Sequence, residues 1–148
     1  SVLREILVIA RKHRKPVTIH CRYAWRDALS LVAEAGMEKA VFHWYTGPSS
    51  VLRDIVSLGY YISATPAAEY HQEHRRAVKA VSQEHLLIET DSPASYGTEL
   101  RWQSEPADTL RTLKAVAEIR GAGEQELAQT TAKNATNFFD LPLGTQGG

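Results

Sequence analysis

The chain has 148 residues, 43% of them apolar, and its 17 basic residues balance 17 acidic ones. That length suits one domain, the apolar share supports a core and argues against disorder, and the zero formal net charge leaves no global positive field to recruit nucleic acid. No stretch approaches the ~20 apolar residues of a membrane span and no charged-then-apolar leader opens the chain, so the expectation is a soluble, cytoplasmic protein with no membrane partner.

In chain order, SVLREILVIARKHRK places Val2, Ile6, Ile9 and Ala10 at helical spacing. After Pro16, short apolar runs alternate with helical patterns. VTIHC (17–21) reads as a strand, and the Leu29, Val32, Ala33 stripe reads as a helix ended by Gly36. AVFHW (40–44) is a second strand, followed by a helix over SSVLRDIVSL with Ser49 or Ser50 as its cap and Gly59 as its stop. YYISAT (60–65) is a third strand, a polar helix from about Ala68 to Ser82 follows, and HLLIETD (85–91) is a fourth. SPASYGTELRWQ reads as a loop, Ser104 as the cap of a helix that Gly121 ends, and EQELAQTTAKNATNFF as a last helix. The expected domain spans 1–141, with a flexible tail over 142–148. Strands recurring at the length of one βα unit predict an α/β fold with a parallel sheet.

Alternation along these strands groups the chemistry. Thr18 and His20 share a face of the first strand, Val41 and His43 of the second, and Leu87, Glu89 and Asp91 of the fourth. In parallel α/β folds, ligands bind where strands end at their carboxyl termini. Two imidazoles and one or two carboxylates at such an edge suit a divalent cation such as zinc, manganese or magnesium, which also answers the cost of sinking Asp91 into an apolar face. The competing reading makes the histidines hydrogen-bonded core residues and Asp91 a loop cap; their shared phase argues against it.

VTIHCR, FHWYTG and LLIETDSP, in that order, with SEP before the penultimate helix and KNATNFFDL at the end, resemble the TatD family of metal-dependent deoxyribonucleases among the amidohydrolase-like barrels. The resemblance implies half of a TIM (β/α)8 barrel, its C-terminal half, with four parallel strands and flanking helices. It implies a hydrolase that cleaves DNA phosphodiester bonds through a metal-activated water, with two divalent cations in a complete site. On that resemblance His20 and His43 hold one cation, Asp91 holds the other and is catalytic, and Arg22 contacts a substrate phosphate. Glu89 is expected to orient a metal-binding histidine. The substrate would be DNA or a small phosphoester. Another amidohydrolase-type reaction, on an amide, lactone or phosphotriester, and a non-catalytic half-barrel are the alternatives.

The chain departs from the family pattern at Tyr23, where an acid is usual, at Trp44 and Tyr45, where a small residue and Phe are usual, and at Ser104, where Asn is usual. An HxH pair and a fourth-strand glutamate are absent. Since eight βα units need ~250 residues, the expectation is that Ser1 lies in the helix after a missing fourth strand and that an N-terminal half resides elsewhere, in the same or another chain. Trp44 and Tyr45 can stack on a base or pack in the core. Cys21, the only cysteine, points away from His20 and is expected to pack against a helix; HQEHRR, with His71 and His74, reads as a solvated face; RKHRK (11–15) reads as a solvated helix terminus opposite the site.

Overall fold

A computed structural model describes residues 1–142, so the expected tail lies outside the described residues apart from Pro142. The elements are α1 (Val2–Lys12), β1 (Val17–Ile19), α2 (Trp25–Glu34), β2 (Ala40–Phe42), α3 (Ser49–Ser57), β3 (Tyr61–Ala64), α4 (Gln72–Ala80) and β4 (Leu86–Ile88), then β5 (Ser95–Tyr96), β6 (Trp102–Gln103), α5 (Thr109–Arg120) and α6 (Glu124–Phe139). The four long-range strands form one parallel sheet in the order β1-β2-β3-β4. Consecutive parallel neighbours joined by outer helices are the arrangement of half of a (β/α)8 barrel.

Register explains the core. Ile19 pairs with Phe42, Phe42 with Ile62 and Ile62 with Leu86, so one apolar row crosses the whole sheet. These side chains are buried beneath the helices with Leu29, Val32, Ile55, Val78, Val116 and Leu127. The opposite face carries the other phase. Val41 and Leu87 meet Phe138 of α6 in a small second cluster, and His43, Ser63 and Glu89 follow in the same phase further along their strands.

Several expectations are corrected. The strands are shorter than the apolar runs, and His20, His43, Glu89 and Asp91 all lie just beyond the last paired residue. The segment after β4 is not plain loop. β5 and β6 form an antiparallel hairpin whose turn needs Gly97: its φ is +100°, and a Cβ there would meet Leu100 O at 2.1 Å. Ser104 does not cap α5. Its hydroxyl lies 2.9 Å from Ala94 O and 3.2 Å from Thr90 O, tying the hairpin to the end of β4, while Glu105 and Asp108 form a capping box over the 3-10 turn that leads into α5. α3 starts at Ser49 itself, with Pro48 in the cap position and no side-chain bond.

α1 turns Leu3, Leu7 and Ala10 to the core, whereas Val2, Ile6 and Ile9 are exposed. Arg11 closes the far end of α2 through a 3.2 Å bond to Ala35 O, so the basic run does sit at the end of the sheet away from the carboxyl edge. Among the described residues no helix is long and apolar enough to cross a membrane.

His74 corrects the solvated-face reading of HQEHRR at one residue, since Gln72, Glu73 and Arg76 are exposed as expected. It is fully buried, its Nδ1 lies 2.8 Å from Tyr45 O, and its Nε2 accepts from Thr65 N–H at 3.1 Å. The only tautomer satisfying both partners carries its proton on Nδ1, so a second proton on Nε2 would face a donor. Burial, against the helping bond to Tyr45, lowers its pKa to about 4. Stability from this group is therefore complete above the ordinary histidine range and is lost as pH falls from about 6.5 towards 4, because only the unfolded chain takes the proton there. We expect urea titrations between those limits to show wild type losing roughly 3 kcal/mol more than His74→Gln. Parallel pH profiles for the two would refute this account.

Candidate metal centre at the strand ends

Sheet hydrogen bonds continue one residue past the strands and fix the bases of two site residues. His43 N–H donates to Ile19 O at 3.1 Å, and Glu89 N–H donates to Ala64 O at 2.9 Å. From the outer layer, Thr112 of α5 donates its hydroxyl to Glu89 O at 2.9 Å. Asp91 arrives differently. It has left the strand, its φ is +50°, and its carbonyl accepts from Ala94 N–H in a tight turn at 2.8 Å. Strand alternation thus predicted its direction for a reason the structure does not share: a left-handed residue, not the pleat, brings it back to the site.

The side chains converge tightly. His43 Nδ1 lies 2.6 Å from Glu89 Oε1, and His43 Nε2 lies 3.3 Å from Asp91 Oδ2. Ser63, on the intervening strand, donates its hydroxyl to the same Glu89 oxygen and accepts from Trp44 N–H at 3.2 Å. Because Glu89 accepts at Nδ1, the neutral imidazole presents a lone pair from Nε2 towards Asp91. Nε2 and Oδ2 are close enough that one divalent cation could be held between them.

Electrostatics point the same way. Burial alone would pull His43 down, but the bond to Glu89 and the charges of Glu89 and Asp91 outweigh it and hold the pKa above the ordinary histidine value. A site that strengthens a histidine's hold on a proton is one whose field favours positive charge. His43 is 7% exposed, Glu89 29% and Asp91 45%, so the pocket grades from a dry floor to a wet mouth.

Among the described residues, His43, Glu89 and Asp91 are the group of potential ligands whose atoms lie within 4.8 Å of one another. His20 is adjacent but outside it: its ring centre is 6.0 Å from that of His43, and the residue is exposed. Glu89 is inside the group while also holding His43. Arg22 lines a cleft of about 820 Å³ together with His20, His43, Trp44, His71 and Arg76. Cys21 packs partly against the main core, and burial raises its pKa, as for an unreactive thiol.

Trp44 and Tyr45 part company. Tyr45 is fully buried, 4.6 Å from the Trp25 ring, with its hydroxyl donating to Pro48 O at 2.7 Å. Trp44 stands in the cleft, edge-on to His43 and 5.2 Å from Tyr96. Tyr96 continues to Trp102 at 5.6 Å, and Arg111 lies over Trp102 at 3.9 Å while gripping Glu69 with two bonds. Sequence reasoning missed Ser63, whose signal was a lone hydroxyl in the phase of His43, and Tyr96, which carried none because its segment read as loop.

The family model described as TatD related DNase matches residues 1–140. Human "Deoxyribonuclease TATDN3" is 30% identical over 139 residues, covering 94% of this chain and 50% of that protein. The "Uncharacterized metal-dependent hydrolase YabD" of Bacillus subtilis is 27% identical over 95% of this chain and 57% of its own length. Among solved structures, the TatD homologue YJJV of Escherichia coli superposes with a TM-score of 0.85 at 24% identity over 95% of this chain and 56% of that one, a likeness of fold. The chain spans about half the length of the curated relatives it matches. With the family model running over all but the last few residues and the strand-end histidine and carboxylates gathered at one edge, the chain belongs to the TatD-related DNase family.

Proposed function

We propose that this chain supplies one half of the active site of a metal-dependent phosphodiesterase acting on DNA. The observation that carries the reading is the Glu89–His43–Asp91 arrangement, with one carboxylate at Nδ1 and another 3.3 Å from Nε2. His43 and Asp91 would hold a divalent cation, zinc, manganese or magnesium. His20 from the neighbouring strand end would join them, and a second cation would belong to the complete site. Such a cation supplies Lewis-acid charge, which acidifies water and neutralises the negative charge growing on a phosphodiester oxygen.

The chain's own groups do the rest. Glu89, bonded to Ser63, fixes the His43 ring and its tautomer. Asp91, at the wet mouth, would take a proton from attacking water, and Arg22 would hold the substrate phosphate. Among the described residues β1 and β4 each pair on one side only. A complementary set of four βα units closing on those edges would provide the remaining ligands. The DNase names of relatives such as the human protein support DNA over amide or lactone substrates.

Calorimetry with zinc or manganese is expected to show weak binding to the chain alone and tight binding once the complementary half is supplied, with cleavage of single-stranded DNA far above that of ester and lactone substrates. Asp91→Ala should abolish the binding. Strong turnover by the chain alone would contradict the half-site reading, and no binding in the completed barrel would favour a non-catalytic scaffold. A second measurement isolates Glu89. In Glu89→Gln the burial of His43 persists while its compensating charge is gone, so the His43 titration followed by NMR should move to lower pH, and cation affinity should fall by about 10- to 100-fold. An unmoved titration would remove Glu89 from this role.

A further inference from the structure

We propose that Tyr23 and Trp44 form an aromatic wall that stacks on a nucleobase of a single-stranded nucleic acid whose adjoining phosphate is held by Arg22. This rests on the phosphodiesterase reading for its substrate class and goes beyond it by naming the residues that hold the base.

Both side chains line the same cleft as His43, one from the loop after β1 and the other from the loop after β2. Tyr23 is 93% exposed and, among the described residues, makes no ring contact or side-chain hydrogen bond. Its ring lies on the cleft's lining, where a ligand in the cleft can reach it. Trp44 is the opposite case, half-buried and held in place. Its N–H is fixed by Ser63, its ring packs on Tyr96, and it meets His43 edge-on at 6.2 Å. One ring is therefore held beside His43, and the other stands in solvent on the lining of the same cleft.

Backbone geometry supports a purpose for both. Tyr23 has φ +67° and Trp44 has φ +47°, in the left-handed region that bulky side chains avoid. A turn needing only that conformation would be relieved by glycine or asparagine. Cations share the cleft with the rings: Arg22, and Arg76, which also donates to Gly47 O at 2.8 Å, while Glu73 on its rim is 3.4 Å from His71 Nδ1. Rings for base faces and cations for the backbone are the chemistry of a single-strand surface, and a paired base could not present its face to either ring. The cleft of about 820 Å³ has room for a nucleotide unit.

The test is fluorescence anisotropy of the chain with a labelled oligothymidylate and with a strand of equal length and charge built from abasic units. The base-bearing strand should bind more tightly. Tyr23→Ala and Trp44→Ala should each weaken it by about 5- to 100-fold, and Trp44→Phe should recover most of the loss. Tyr23 is exposed enough that its removal leaves the fold intact, so its result stands even if Trp44→Ala unfolds. Equal affinity for the two strands, equal losses on both, or no binding of either overturns the proposal. Base-dependent binding without cation-dependent cleavage in the completed barrel keeps the wall and sinks the phosphodiesterase reading; cleavage with no base dependence does the reverse.

Discussion

The bond between Glu89 and His43 is the interaction on which the site depends. A carboxylate largely withdrawn from water costs free energy unless donors reach it, and here the imidazole N–H and the Ser63 hydroxyl both do. Satisfying Glu89 in this way fixes what His43 offers to the outside. With Nδ1 engaged, Nε2 is the free atom, and it points at Asp91. The polarity of the pocket thus follows from meeting one partly buried group's requirement.

That interaction in turn rests on register. His43 and Glu89 meet because β2, β3 and β4 pair in parallel without slippage, so that three residues of one phase, His43, Ser63 and Glu89, emerge together at the carboxyl edge. A slip of one residue in any strand would send its polar residue into the helix-covered face and its apolar partner to the site. The apolar row from Ile19 through Phe42 and Ile62 to Leu86 makes such a slip costly, so core packing and site assembly are enforced by the same pairing.

Strain is concentrated where that regular scaffold stops. Five residues other than glycine have positive φ, and three of them, Tyr23, Trp44 and Asp91, lie two to four residues past strand ends on the site edge. Each costs about 1–2 kcal/mol relative to relaxed backbone. The surroundings hold two of the three: Ser63 holds Trp44, and Ser104 and Ser92 anchor the segment after Asp91, while buried His74 pins the loop carrying Tyr45 to Thr65. A stiff sheet with strained loops at one edge is a division suited to holding reactive groups in fixed positions.

The sequence alone was enough for the periodic features. Four apolar runs at βα spacing gave four parallel strands, EQELAQTTAKNATNFF is α6 residue for residue, and Gly36, Gly59 and Gly121 mark helix ends in the left-handed conformation. Phase also placed His43 and Glu89 together, because side-chain direction in a strand is a local property. What only the tertiary structure decided were matters of partner and of departure from the strand. Asp91 reaches the site through a turn, His20 stands beside the triad rather than within it, and Ser104 leaves its helix to brace a hairpin. His74 sinks from an apparently solvated helix face because two backbone groups distant in sequence, Tyr45 O and Thr65 N–H, need it. Periodicity records which way a side chain points; it holds no information on what waits there, since that is fixed by chain segments that meet only once the sheet has formed.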